Sequence, residues 1–212
     1  MIIAIDGPAG SGKGTLARSL AAHFRFAYLD TGLLYRAVGY AVLAAGQNPD
    51  DPDAATRAAE ALDPAGLDNP ALRGEDTAQA ASKVSAIPSV RAALLAFQRR
   101  FAQTPPNRAP GAVLDGRDVG TVVCPDADVK LFLTASAEVR AERRVKELRG
   151  RGLEAIYARV LQDMNERDTR DRARAVAPLT PADDALVLET STLDADAVFE
   201  RALRHIASRN RA

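Results

Sequence analysis

The sequence is poor in the residues that many active sites use as nucleophiles, bases or metal ligands. Its 212 residues include one cysteine, two histidines and no tryptophan. Cys124 has no partner for an internal disulfide, and with only His23 and His205 it cannot complete a zinc site. No neighbouring base would activate the thiol, so we expect Cys124 to pack in the interior. Disulfide scaffolds and zinc centres are thereby excluded, and cysteine-based catalysis is disfavoured.

The sequence also lacks an excess of either charge and any long apolar run. Basic and acidic side chains both number 28. A general nucleic-acid-binding protein would carry a net basic surface, so we expect no nucleic-acid partner, although a local basic pocket is compatible with this balance. The N-terminal stretch MIIAIDG has no basic region and is too short for a signal peptide, and no apolar stretch approaches the about 20 residues of a membrane span. These absences predict a cytoplasmic protein without a membrane partner.

Residues 6–15, DGPAGSGKGT, are the most informative stretch. The apolar run IIAI before it predicts a buried strand, and the spacing of Leu16, Leu20 and Phe24 after it predicts a helix. Strand, glycine-rich loop, lysine and helix together are typical of a phosphate-binding loop, whose backbone N–H groups surround a phosphate while the lysine reaches the β- and γ-phosphates. We predict that ATP phosphates contact every residue of this loop: Gly7, Pro8, Ala9, Gly10, Ser11, Gly12, Lys13, Gly14 and Thr15.

Short apolar runs and helical patterns alternate along the rest of the chain. Four more strands are predicted, at 27–30, 112–115, 129–134 and 185–190. Helices are predicted at 14–24, 31–46, 54–62, 137–148 and 153–168, on either side of Pro88 and at the end of the chain. This alternation predicts an α/β fold, a five-stranded parallel sheet flanked by helices.

The distribution of turn residues predicts the domain organisation. Residues 40–105 combine helices with segments rich in Pro, Asp, Asn and Gly, and predict an inserted helical lobe. The phosphate-binding core would then comprise 1–39 and 106–212, with a lid at about 150–176.

Polar residues follow two of the predicted strands. Asp115 ends the strand at 112–115 beside the phosphate-binding loop, where an aspartate associated with Mg²⁺ belongs. Arg117 and Asp118 follow it in a turn, and we expect them to face the same crevice rather than form an ordinary surface ion pair. The stretch LDTGLLYR lies at 29–36. Thr31 is the expected N-cap of a helix, and Arg36 lies either on the protein surface or in the same crevice.

Residues 165–179, NERDTRDRARAVAPL, are rich in arginine. One interpretation is a solvated helix face, and the other is a mobile lid that closes over phosphates and supplies arginines. ATP and a nucleotide acceptor bring roughly six negative charges together, and phosphoryl transfer mainly requires that these charges be screened. A phosphate acceptor is already anionic and needs no general base, so the scarcity of histidine favours such an acceptor.

In their order along the chain, these stretches resemble the bacterial cytidylate kinases. The loop form GxxGxGKGT, with a glycine after the lysine and the hydroxyl one position later, resembles that of nucleoside monophosphate kinases in general. The family resemblance is carried by DGPAGSGKGT, LDTGLLYR, AASKVSAIPSVRAALL, LDGRDVGTVVCPDADVKLFL and ERDTRDRARAVAPL, which span nearly the whole chain. It implies that MgATP reacts with CMP or dCMP to give ADP and CDP or dCDP.

The resemblance also implies a role for each matching position. Four arginines would hold the acceptor phosphate and sugar: Arg36, Arg117, Arg167 and Arg174. The sugar would also contact Asp171, with Thr31 close by. Three residues would bind the cytosine edge: Ser82, Arg91 and Asp118. Arg144 and Arg170 would lie near the ATP phosphates, and Mg²⁺ would lie near Thr15 and Asp115, held largely through water. The residues assigned to catalysis are Lys13, Arg117, Arg144, Arg167 and Arg170.

The three base-binding residues predict a preference for cytosine over uracil. The N4 amino group of cytosine can donate to the Asp118 carboxylate, whereas uracil places the O4 acceptor there. Arg91 and Ser82 can donate to O2 and N3 of cytosine. An unpaired buried polar group costs on the order of 1–3 kcal/mol, so CMP should be preferred over UMP.

One departure from the family pattern and several alternatives stand beside this interpretation. Residues 62–82 are short and turn-rich where common bacterial members carry a small β-structured insert. This difference bears on how the inserted lobe at 40–105, which the resemblance implies binds the acceptor nucleotide, closes and selects cytosine.

The competing functions are another small kinase, acting on UMP, AMP or shikimate, and a non-catalytic nucleotide sensor. The turn DGRD argues against an adenylate kinase, and Lys13 argues against a sensor. The charged helices lack an apolar heptad seam, which favours a monomer.

Overall fold

The structure, a computed structural model, describes residues 1–209. The strands are β1 (Ile2–Asp6), β2 (Ala27–Asp30), β3 (Ala112–Gly116), β4 (Val129–Thr134) and β5 (Leu186–Glu189). The helices are α1 (Lys13–Phe24), α2 (Thr31–Ala44), α3 (Pro52–Glu60), α4 (Glu75–Val84), α5 (Pro88–Gln103), α6 (Ala137–Gly150), α7 (Tyr157–Ala173) and α8 (Ala195–Arg209). Short 3₁₀ turns lie at Pro64–Asp68, Pro70–Arg73 and Pro106–Arg108, and a wide turn at Val119–Val123.

The five strands form one parallel sheet in the order β2-β3-β1-β4-β5. The predicted α/β fold is therefore confirmed. β1 lies at the centre, and its apolar residues are continuous because both faces of a parallel sheet are covered by helices. One cluster of apolar side chains packs α1 and α8 on one face of the sheet. A second includes residues of α5 and the buried Cys124, which packs in the interior as predicted.

The register of the sheet brings three loops to one edge. Asp6 at the end of β1 pairs with Gly116 of β3, and Asp30 at the end of β2 pairs with Asp115. In an open parallel sheet, ligands bind outside the carboxyl ends of the strands. The loops after β1, β2 and β3 therefore border a common crevice.

Helices α2 to α5 form a lobe with an apolar cluster of its own, which includes Leu34, Val38, Val84 and Leu94. The boundary predicted at residue 40 falls inside α2, whose first half already belongs to this cluster. Within residues 1–209 no single helix has the length and apolar composition needed to cross a membrane, and only the bent pair Glu75–Val84 and Pro88–Arg108 passes that criterion jointly.

The prediction that Thr31 caps α2 is wrong. The N-cap is Asp30, whose carboxylate accepts the N–H of Gly32 at 2.9 Å, and the Thr31 hydroxyl donates to the carbonyl of Asp115 at 2.8 Å. Asp30 still has the extended backbone of β2, which points its carboxylate at the first turn of the helix. Thr31 instead ties α2 to the end of β3.

The helix predicted at 153–168 lies further along the chain. Ile156 has an extended backbone, so α7 begins at Tyr157, and it continues to Ala173. The charged residues that follow 168 remain helical because Asp171 is buried on the inner face of α7, where it pairs with Arg117 from the turn after β3.

Candidate active site

The phosphate-binding loop connects β1 to α1. α1 begins at Lys13, and its N-cap Gly12 has a left-handed backbone and no capping side chain. The N–H groups of the first turn and the positive end of the helix dipole therefore favour an anion at this position. Nζ of Lys13 donates to the carbonyl of Pro8 at 3.3 Å, so the side chain folds back over the loop.

One position of the loop has no room for a side chain, and a second is tight. A Cβ atom at Gly7, whose φ is +148°, would lie 2.1 Å from the carbonyl oxygen of Leu133. A Cβ atom at Gly14 would lie 3.2 Å from Oδ2 of Asp115. The glycine after the lysine thus lets Asp115 approach the first turn of α1, beside Thr15.

The floor of the loop carries opposed charges in a buried setting. Burial lowers the pKa of Lys13, and the positive charge of Arg117 lowers it further, while Asp115 and Asp30 oppose both effects. Burial likewise raises the pKa of Asp115, and the charge of Asp30 adds to that shift. Phosphate groups at the loop would favour the charged form of Lys13 through opposite charge.

The turn after β3 is held by Asp6. The buried carboxylate of Asp6 accepts the N–H groups of Val119 and Gly120, both at 2.8 Å. These hydrogen bonds favour the ionised form, but burial is the larger effect and raises the pKa of Asp6 to about 6. Because the turn follows directly on Arg117 and Asp118, Asp6 fixes where those two side chains leave the sheet.

Asp171 of α7 is the centre of an arginine cluster. Nε of Arg117 donates to its carboxylate at 3.0 Å, Arg174 forms an ion pair with it, and Nε of Arg167 lies 4.0 Å away. Burial would raise the pKa of Asp171, but these three positive charges lower it.

This cluster holds more positive than negative charge. The Arg167 side chain is only 21% exposed, and burial together with the charge of Arg117 lowers its pKa to about 9. Within residues 1–209 the Nε atoms of Arg167 and Arg174 are buried and have no hydrogen-bond partner. Buried donors of this kind normally have an acceptor. The cluster therefore has both the charge and the free donors to receive an anion.

The residues predicted to bind the base lie together next to this cluster. Arg91 forms a buried ion pair with Asp118 and donates to the carbonyl of Ser85 at 3.1 Å. Its guanidinium carbon lies 5.5 Å from the centre of the Tyr35 ring, a cation–π contact. The hydroxyl of Ser82 accepts from Nε of Arg170 at 3.1 Å.

Three arginines predicted to bind phosphates contact the segment from Leu72 to Ser82 in this structure. Nη1 of Arg36 donates to the carbonyls of Leu72 and Gly74, at 2.8 and 3.3 Å. Arg144 pairs with Glu75 at 2.6 Å and with Glu147 at 2.9 Å. Arg170 donates to Gln79 at 2.8 Å. The segment from Leu72 to Ser82 thus supplies acceptors to all three arginine side chains.

A sequence model described as cytidylate kinase matches residues 3–208. This chain belongs to the cytidylate kinase family. The cytidylate kinase of Paramagnetospirillum magneticum is 65% identical over 208 residues, which cover 98% of each chain. That of Rhodospirillum rubrum is 60% identical over 210 residues, which cover 99% of each. The crystal structure of an uncharacterized protein from Eubacterium ventriosum is similar in fold alone, with a TM-score of 0.57, 16% identity and coverage of 98% and 99% of the two chains.

Several residues that shape the site in this family member were not predicted. Asp6 carries a recognisable signal, an acidic residue at the end of a buried strand, but its partners are backbone groups far along the chain. Arg140 and Arg143 of α6 donate to the carbonyls of Ala9 and Gly10, at 3.1 and 3.4 Å. Nothing distinguishes them in sequence from the other arginines of α6, because only the fold places them under the loop.

Proposed function

We propose that this chain transfers the γ-phosphoryl group of ATP to CMP and dCMP, producing ADP with CDP or dCDP. Membership of the cytidylate kinase family supports the reaction class. One structural observation carries the proposal further: the turn after β3 contacts both regions, because Asp115 lies against Gly14 of the loop and Nε of Arg117 donates to Asp171 at 3.0 Å. The phosphate-binding loop and the arginine cluster around Asp171 therefore act on one space, where a donor and an acceptor phosphate can meet.

Each group of residues has a part in this reaction. Backbone N–H groups of the loop and Lys13 bind the ATP phosphates, while Arg117, Arg167 and Arg174 bind the acceptor phosphate. Their charges offset the negative charge of the transition state, which supplies most of the acceleration in phosphoryl transfer. The acceptor phosphate is the nucleophile, and no residue has to remove a proton from it.

The residues near the loop fit Mg²⁺. Asp115 and Thr15 offer oxygen atoms, and within residues 1–209 no cluster of three or more His, Cys, Asp or Glu side chains could enclose a metal. Mg²⁺ is commonly held by one or two carboxylates together with substrate phosphates and water. When bound, the ion would neutralise phosphate charge, and we assign its support to Asp115 and Thr15.

The experiment that tests this function measures ADP formation from MgATP with CMP, dCMP, UMP, AMP or GMP at equal concentration. We expect ADP formation to depend on the acceptor and to be fastest with CMP and dCMP. A preference for UMP would make the chain a uridylate kinase, and ADP formation without dependence on any acceptor would make it an ATPase or a nucleotide sensor.

Glu75 should compete with ATP for Arg144. The two side chains pair at 2.6 Å, but Glu75 is largely exposed, and an exposed pair contributes roughly 0.2–1 kcal/mol. We therefore expect Glu75→Gln to lower the KM for ATP by about 1.4- to fivefold. The control is Asp76→Asn, which removes a charge from the same first turn of α4 without touching this pair. An equal change in both variants would indicate a general effect of charge and would contradict the competition.

A further inference from the structure

The structure contains a buried ion pair that the reaction described above does not use. Arg140 of α6 and Asp168 of α7 are 3% and 2% exposed. Two parallel contacts join them, from Nη1 to Oδ1 at 3.3 Å and from Nη2 to Oδ2 at 2.6 Å. This bidentate geometry fixes the orientation of both side chains as well as their distance.

The same guanidinium also binds the phosphate-binding loop. Nη1 of Arg140 donates to the carbonyl of Ala9 at 3.1 Å, and Nε donates to the carbonyl of Ala135 at 3.0 Å. The loop packs closely here, because a Cβ atom at Gly10 would lie 3.0 Å from Cβ of Arg140 and 3.1 Å from the end of Met164 on α7. One side chain therefore connects the loop, the start of α6 and α7.

Asp168 lies on the helix that carries the arginine cluster. Met164, Asp168 and Asp171 are the buried residues of α7, spaced at four and three positions, and so they share one face of the helix. Holding Asp168 thus sets both the rotation of α7 and its position along its own axis. Arg167 and Asp171, its neighbours on that face, are set at the same time.

We propose that Arg140 and Asp168 are positioning residues for phosphoryl transfer, which fix the acceptor-binding residues of α7 relative to the donor-binding loop. The proposal rests on the proposed function. Replacing a buried ion pair with apolar residues is often neutral or stabilising, so stability alone does not account for the Arg140–Asp168 pair. A positioning role does account for it. Neither residue touches the reacting groups, so both act through Ala9 on one side and through α7 on the other.

The test uses the full chain with both charges replaced, Arg140→Met with Asp168→Leu. This variant avoids an unpaired buried charge. We expect the dissociation constants of ATP and CMP, each measured alone, to change less than about threefold, whereas kcat should fall about 100-fold, as expected for misplaced reactants. The matched control is Lys130→Met with Asp184→Leu, which removes the ion pair between β4 and the segment before β5, at 2.9 Å, and should retain its kcat. A folded test variant with the kcat of the wild type would overturn the proposal.

A second measurement depends on neither turnover nor the folding of a variant. Amide hydrogen exchange of the wild-type chain is followed with the non-hydrolysable β,γ-imido analogue of ATP and no acceptor. We expect slower exchange in Met164–Ala173 as well as in the loop, because Arg140 transmits ordering from Ala9 to Asp168. Slower exchange in the loop alone would overturn the proposal. Absence of CMP phosphorylation by the wild-type chain would instead contradict the proposed function, whereas the exchange result tests only whether Arg140 couples the loop to α7.

Discussion

Replacing Lys13 with alanine is expected to lower kcat about 1,000-fold and to leave the fold intact. Removing one group that stabilises transition-state charge costs about 100- to 1,000-fold in other enzymes, and phosphates bound at the loop would favour the charged form of Lys13. Its side chain makes one hydrogen bond, to the carbonyl of Pro8 at the weak distance of 3.3 Å, so the fold depends little on it. Burial and the charge of Arg117 both disfavour the charged form of Lys13, so its removal should not destabilise the chain without ligand.

The measurement is kcat with saturating CMP, together with the melting temperature of the free protein. Lys146→Ala on the exposed side of α6 is the matched control, because it removes a lysine outside the crevice. We expect this control to retain its kcat and both proteins to melt as cooperatively as the wild type. A Lys13→Ala protein with kcat within tenfold of the wild type would remove Lys13 from the mechanism.

The sheet could be predicted from the sequence because its strands are short, apolar and buried on both faces. The runs IIAI and AVLD do not alternate between apolar and polar residues, as expected for strands that are covered on both faces. The turn residues that follow each run mark the end of the strand. The phosphate-binding loop could also be predicted, because its glycines are required by local steric constraints. Gly7 excludes a side chain because the carbonyl of Leu133 lies against it, and Gly14 allows the close approach of Asp115, so the glycines of the motif are local requirements.

The remaining features depend on contacts between distant residues. Asp30 and Thr31 are both good N-caps, and the choice between them follows from where β2 ends against β3. The wide turn at Val119–Val123 exists because Asp6, more than a hundred residues earlier, binds two of its N–H groups. In the same way, the sequence identified α7 as arginine-rich, but only tertiary packing separates Asp168, which faces Arg140, from Asp171, which faces the crevice.

Asp118→Asn is expected to reduce the preference for CMP over UMP about 10- to 100-fold, measured as the ratio of kcat/KM values. In the proposed complex the Asp118 carboxylate accepts from the N4 amino group of cytosine, and it repels O4 of uracil. Asparagine has nearly the same shape but can present its NH₂ group to O4, so UMP gains what CMP loses. A mismatched buried polar group costs about 1–3 kcal/mol, which corresponds to the expected range.

The ion pair with Arg91 makes this test demanding, because breaking a buried pair is itself destabilising, by about 3–5 kcal/mol when a charge is left unpaired. Arg91 keeps its contacts with the carbonyl of Ser85 and the ring of Tyr35, and the assay should be run well below the melting temperature of the variant. The matched comparison is Asp171→Asn, since Asp171 also pairs with arginines but is assigned to the sugar. That variant should lower kcat/KM for CMP and UMP alike, with an unchanged ratio. A ratio unchanged by Asp118→Asn as well would mean that the pair with Arg91 only shapes the pocket and that cytosine is selected elsewhere.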